Sequence, residues 1–315
     1  MEIVVLDGYC LNHGDLDWKA FEALGDLRVY DRTPYAEIVS RMGSAEVMIT
    51  NKCVIDRPLT EKLPHLKYIG VLATGYNNID IRACHEKGIT VTNVPAYSTE
   101  SVVQSVFGLI LELYIKIGSQ SASAKGGDWA KAPDFCYYPE GLKELYGKTL
   151  GIIGYGAIGR RVKEVAKAFG MKVLVNTRTK RLPEDGFEYA DRDRLFAESD
   201  IITLHCPLTE ENKGMINAAA IEKMKRDAIV INTARGGLIV ESDLAAAIES
   251  GRIAGAGVDV LDTEPARADD PLIAAKNTIV TPHTAWATAE ARGRLMKQAA
   301  DNLRAYLQGD PINVV

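Results

Sequence analysis

Short apolar runs alternate with amphipathic stretches along almost the whole chain. In the first hundred residues the runs fall at 3–6, 27–30, 47–50, 68–72 and 90–91, and helical patterns fill gaps such as 18–24 and 35–41. Beyond residue 150 the runs recur at 173–175, 201–204, 229–232, 255–258 and 279–280. Apolar runs of strand length separated by helical periods predict an α/β protein of parallel sheets with helices on both faces. A long helix is predicted at 100–117, after the turn at Pro95, and a last one at 288–307. Between 118 and 146 lie Gly126, Gly127, Pro133 and Pro139. That stretch predicts an irregular loop, of a length that is usually functional or makes a subunit contact.

The apolar run 149–153 leads into Gly154, Gly156 and Gly159, and a helical stretch follows from Ala157 to Phe169. Three glycines spaced G-x-G-x-x-G between a strand and a helix have distinct mechanical tasks. Gly154 permits the tight turn, Gly156 lets backbone approach a pyrophosphate, and Gly159 lets the helix pack closely on the strand. The helix start then offers free N–H groups and a positive dipole end to phosphates. A dinucleotide fold therefore begins near residue 150, and the first hundred residues form another α/β unit without such a motif.

The length of 315 residues suits two domains. A formal charge of −5 gives no reason to expect nucleic acid or an acidic membrane as partner. The most apolar long stretch, 102–117, is interrupted by Gln104, Glu112 and Lys116, which predicts a helix packed on protein and no membrane span. The N-terminus is acidic at once and lacks the basic start of a signal peptide. The five cysteines are scattered without a C-x-x-C pair. Reduced thiols in a cytoplasmic enzyme are the simplest reading.

Three segments place polar groups at strand ends, where open α/β sheets build their sites. Arg235 lies in Asn232-Thr-Ala-Arg-Gly-Gly. Asp259, Asp262 and Glu264 lie in Asp259-Val-Leu-Asp-Thr-Glu-Pro. His283 lies in Pro282-His-Thr-Ala-Trp. Arg offers a planar fork to a carboxylate, and His exchanges a proton near neutral pH. Taken singly, each has a plain reading as a surface Arg, a solvated acid or a capping His. Beside a dinucleotide fold they form a candidate catalytic set. His13, His65 and His85 fall away from these motifs, and His205 reads as a packing residue at a strand end. No cluster has metal-ligand spacing, so no metal is expected.

With its glycine fingerprint and those three later motifs in this order, the chain resembles the D-2-hydroxyacid dehydrogenases over essentially its whole length. The resemblance implies two Rossmann-like domains. A discontinuous substrate domain takes residues 1–97 plus 288–315, and a dinucleotide-binding domain takes 98–287. It implies Arg235, Glu264 and His283 as catalytic residues, and a homodimer formed partly through the 100–117 helix and the 118–146 loop. A 2-oxo acid would bind between the domains, with Arg235 on its carboxylate and carbonyl oxygen, His283 giving the proton and Glu264 orienting the imidazole. Cofactor contacts are expected at Gly154, Gly156, Ala157, Ile158, Gly159, Thr177, Arg178, Pro207, Thr233, Ala234, Asp259 and Trp286, with Asp259 positioning the nicotinamide. Lys52 and the backbone of Thr74, Gly75 and Tyr76 are expected to cradle the substrate carboxylate.

Trp286 beside His283, and the opening Val4-Val-Leu-Asp-Gly-Tyr, resemble the glycerate dehydrogenases, equally called hydroxypyruvate reductases. Hydroxypyruvate and glyoxylate are the substrates this implies. Other D-2-hydroxyacid dehydrogenases, including the phosphoglycerate type, and a non-enzymatic dinucleotide sensor are the alternatives. The run after the second strand, Thr177-Arg-Thr-Lys-Arg181, lacks the acid that accepts ribose hydroxyls of NAD. Arg178, with Thr177 and Thr179, offers donors to a 2′-phosphate. NADP is therefore the expected cofactor, with NAD second.

Overall fold

The computed structural model describes residues 1–179 and 186–315, in two compact units: Met1–Ser98 with Trp286–Val315, and Thr99–Ala285. Lys180 and Arg181 of the basic run lie outside the described residues.

The first unit holds β1 (Glu2–Val5), β2 (Asp26–Val29), β3 (Val47–Thr50), β4 (Tyr68–Val71) and β5 (Thr90–Thr92). They form a parallel sheet in the order β2-β1-β3-β4-β5. This is the flavodoxin-like order, whose connections reverse between β1 and β3. Both faces are covered, so the inner strands are continuous apolar runs rather than alternating ones. Val4, Met48 and Ile69 pack on one face against Ile38, Met42 and Leu59. Ile3, Val5, Val47 and Ile49 pack on the other with Leu295, Ala299 and Leu303 of the helix Ala289–Leu307. Thr288 caps that helix by accepting the N–H of Ala291.

The second unit holds β6 (Thr149–Ile153), β7 (Lys172–Asn176), β8 (Glu188–Tyr189), β9 (Ile201–Leu204), β10 (Ile229–Asn232), β11 (Gly255–Val258) and β12 (Thr278–Val280). Its parallel sheet runs β12-β11-β10-β9-β6-β7-β8. This extends the Rossmann order by one strand and puts the switch point between β6 and β9. The helix Thr99–Ile115 covers one face, where Val103, Val106 and Ile110 meet Leu150, Ile152 and Ile231.

Two local expectations change. Residues 118–146 are not one irregular loop, because helices occupy Ile117–Lys125 and Asp128–Lys131. Lys116 has φ +56, so the chain turns there and a new helix starts. The Ser/Ala-rich run behind it has the propensity to continue as helix. The two-residue strand β8 escaped the apolar pattern because it is too short to show a period. The five cysteines are free thiols.

Candidate active site

The glycine turn sits at the carboxyl end of β6. Gly154 has φ +97, and a Cβ there would come within 2.5 Å of the His205 carbonyl. A Cβ on Gly159 would come within 2.3 Å of the Gly154 oxygen, so helix and turn close on each other only through glycine. Gly156 is different: a Cβ there would project into open space. It caps the helix Ala157–Ala168, whose first N–H groups, at Ala157, Ile158 and Gly159, have no partner within the helix.

A cavity of about 570 Å³ opens at this point. Gly154, Gly156, Thr177, Arg178, His205 and Pro207 are among the residues lining it. Its size and the exposed backbone at Gly156 fit a dinucleotide. On the loop after β10, Thr233 Oγ1 is buried without a hydrogen-bond partner among the described residues. His205, taken from sequence as a packing residue, is part of this cavity. Its Nε2 lies 2.9 Å from Thr203 Oγ1, and burial pushes its pKa down to about 3.

The catalytic candidates stand on the loops after β10, β11 and β12. Asn232, fully buried, organises the first of them: its amide donates to the Arg235 carbonyl at 2.8 Å and its oxygen accepts the Ala234 N–H at 3.0 Å. That folds 233–235 around the Asn side chain and leaves Arg235 exposed, with Nη1 on the Ala234 carbonyl at 2.6 Å. In the next loop Glu264 Oε1 accepts the Leu261 N–H at 3.1 Å. Its Oε2 lies 2.6 Å from Nδ1 of His283. The imidazole is thus fixed at Nδ1 by a carboxylate that is itself anchored, which commits proton exchange to Nε2.

His283 has φ +53, a rare conformation for a residue with a Cβ. Asp259 stabilises it. This buried carboxylate accepts from Thr281 Oγ1 at 2.5 Å, from the Thr284 N–H at 2.8 Å and from the Ala285 N–H at 2.9 Å. The Asp259 carbonyl takes the His283 N–H at 2.8 Å. The hydrogen bonds of Asp259 thus hold the His283 turn. Ser101 Oγ on the long helix closes the turn by donating to the Ala285 carbonyl at 2.6 Å.

Comparison with known proteins agrees with this geometry. Residues 107–285 match the model for "D-isomer specific 2-hydroxyacid dehydrogenase, NAD binding domain". The chain belongs to the D-isomer-specific 2-hydroxyacid dehydrogenases. It is 48% identical over 320 residues to a hydroxypyruvate reductase of Blautia hydrogenotrophica, covering 100% of this chain and 99% of the relative. It is 44% identical over 317 residues to a glycerate dehydrogenase of Methylorubrum extorquens, covering 100% and 98%. A solved acyclic imino acid reductase in complex with NADPH and D-Arg superposes with a TM-score of 0.87 at 33% identity, over 100% of both chains.

The other expected site residues of this dehydrogenase lie in the first unit. Lys52 follows β3 and is exposed. The loop at Thr74, Gly75 and Tyr76 follows the neighbouring strand β4, and Thr74 Oγ1 donates to the Val94 carbonyl at 2.8 Å. Asn51 ties the two strand ends together by donating to the Leu72 carbonyl at 2.7 Å. Asp7 accepts the N–H groups of Asn51, Lys52 and Cys53 at 2.8, 2.6 and 3.2 Å. Trp286 is half-buried in the same unit, edge-on to Tyr97 with centroids 6.3 Å apart. Sequence reasoning assigned no role to Asn232, Ser101 or Asp7. Ser101 and Asp7 act on backbone far along the chain, so no local motif announces them, whereas Asn232 acts within the motif that carries Arg235.

Proposed function

We propose that this dehydrogenase reduces hydroxypyruvate or glyoxylate to the D-2-hydroxy acid, with NADPH preferred over NADH. The observation that carries the chemistry is the anchored Glu264–His283 pair at 2.6 Å. A reduced nicotinamide supplies the hydride. His283 holds a proton at Nε2 and delivers it to the substrate oxygen as negative charge builds there. Glu264 stabilises the imidazolium and fixes its orientation. Arg235 binds the carboxylate of the 2-oxo acid and polarises its carbonyl. In the oxidative direction His283 accepts the proton.

The names of the two relatives support the substrate class. The backbone at Thr74, Gly75 and Tyr76, with Lys52, is the proposed cradle for the acid's carboxylate. NADPH is supported by Thr177 and Arg178 in the nucleotide cavity and by the absence of an acid at 177. We also assign a homodimer, with the segment 117–146 at its interface. Trp129, Phe135, Tyr138 and Tyr146 are all exposed on this arm, and apolar surface of that kind marks a subunit contact.

The test is a substrate panel with both reduced cofactors, followed by loss of nicotinamide absorbance. Turnover of hydroxypyruvate and glyoxylate is expected. Binding of cofactor without turnover of any 2-oxo acid would identify a sensor instead.

A further inference from the structure

The nucleotide cavity has a second arginine in its wall. Arg192 lines it together with Thr177, Arg178 and Thr179 of the β7 end and Cys206, Pro207 and Thr209 of the β9 end. The two arginines reach the cavity from different elements. Arg178 follows β7, and Arg192 opens the helix Arg192–Glu198 beyond β8. The end of β7 and the residues just before Arg192 are tied together. Asn176 donates through Nδ2 to the Ala190 carbonyl at 2.8 Å, and Ala190 donates its N–H to the Val175 carbonyl at 3.0 Å. Arg192 therefore stands two residues beyond a segment pinned to the end of β7.

Its charge also reaches the β9 side. The Cys206 thiol is pushed up by burial, and the Arg192 guanidinium opposes that rise. Arg192 is exposed and makes no ion pair among the described residues, and the same holds for Arg178. Nearby arginines differ. Arg194, two residues further along the same helix, is held by Glu188 and Glu198, and Arg161 by Glu100 and Glu164. Glu211 is the one acid among the described residues lining the cavity. Two uncommitted guanidinium groups facing one acid leave an excess of positive charge suited to a phosphate dianion.

We propose that Arg192 is a second reader of the adenosine 2′-phosphate, binding it jointly with Arg178. This rests on the NADPH reading above and adds a specificity residue to it. A carboxylate at 177 would then be only part of what separates the two cofactors, because Arg192 would still favour the phosphate.

Calorimetric titration separates the two ideas without turnover. The probes are 2′,5′-ADP and 5′-AMP, against the wild type, Arg178→Ala, Arg192→Ala and Arg192→Lys. The wild type is expected to bind 2′,5′-ADP more tightly. Arg192→Ala should weaken 2′,5′-ADP about tenfold, the scale of one charge-assisted hydrogen-bond set. It should leave 5′-AMP within about twofold, with Arg192→Lys between the two. If Arg178→Ala loses 2′,5′-ADP affinity and Arg192→Ala does not, the Arg192 assignment fails and the NADPH reading stands. Equal weakening of both probes in Arg192→Ala also overturns the assignment, since the guanidinium then contacts adenine and not phosphate. Equal binding of both probes by the wild type overturns both ideas.

Discussion

A Cβ on Gly236 would lie 1.9 Å from the carbonyl carbon of Leu261 and 2.1 Å from its oxygen. Gly236 follows Arg235, and Leu261 donates its N–H to Glu264. The loop that presents Arg235 and the loop that anchors the His283 partner therefore touch backbone to backbone. No flexible side chain stands between them to yield. Gly236→Ala must push the two loops apart and is expected to cost stability and activity together, with about 1–3 kcal/mol for overpacking of this kind. Thermal unfolding and kcat/KM on the same preparation check it. An unchanged melting temperature would show that the loops separate easily.

His283→Ala is expected to lower kcat by roughly 10²–10⁴-fold, the usual contribution of a general acid. Cofactor affinity should survive, because the dinucleotide cavity is lined by other residues. Glu264→Gln should be the milder change. A glutamine can still accept from Nδ1 but supplies no charge to stabilise the imidazolium. Steady-state turnover with hydroxypyruvate at saturation, beside a cofactor titration, tests both variants. His283→Ala at near wild-type rate removes the assigned proton transfer.

Arg235→Ala should raise KM and lower kcat together, and Arg235→Lys should recover little. The lysine ammonium is a point charge, whereas a guanidinium fork can contact a carboxylate and a carbonyl at once. Lys cannot rebuild that contact from a loop whose shape is set by Asn232. Full kcat/KM in the Lys variant would show that charge alone suffices.

What the sequence reveals here follows the range of the interactions. Gly154, Gly156 and Gly159 are legible because three constraints fall within six residues, between a strand and a helix. Arg235, Glu264 and His283 are legible because each lies on a loop that follows a strand, β10, β11 or β12. Asp259 is legible as a polar residue at a strand end, but its partners Thr281, Thr284 and Ala285 lie more than 20 residues away. Its attachment to the His283 turn is a tertiary fact. The break at Lys116 is invisible for another reason. Its left-handed backbone is set by context, and the glycines at 118, 126 and 127 mask the helical propensity around them. His205 reads as packing until the fold sets it against Gly154.

His205 also makes a pH prediction. Its pKa falls from the ordinary 6.5 to about 3 on folding because burial disfavours the charged ring. Below pH 6.5 the unfolded chain takes up a proton that the folded chain refuses. Stability is therefore lost as pH falls from about 6.5 toward 3, by at most about 1.4 kcal/mol per pH unit for this one group. His205→Gln removes that proton uptake. Denaturant unfolding of both proteins at pH 7 and pH 5 should show the wild type losing more than the variant. Equal losses would mean that His205 titrates alike in both states.

Two adjacent side chains at the end of β7 carry part of the proposed cofactor choice. An NAD-preferring site needs an acid at the end of the second strand to accept the ribose hydroxyls. Thr177 stands at that place, just beyond the last residue of β7, and it lines the nucleotide cavity with Arg178 and Thr179. A carboxylate there would repel a 2′-phosphate, whereas Thr177 and Arg178 both offer donors to one. Thr177→Asp with Arg178→Ala should therefore move the ratio of kcat/KM for NADPH over NADH toward NADH. Thr177→Asp alone should move it less, because Arg178 still attracts the phosphate and can pair with the new acid. The shift should appear in cofactor KM more than in kcat, since position 177 lies at the adenosine end and the proton chemistry at His283. Steady-state kinetics with each cofactor decides the point. A wild-type enzyme clearly better with NADH would mean that the basic turn is solvated and indifferent to the phosphate.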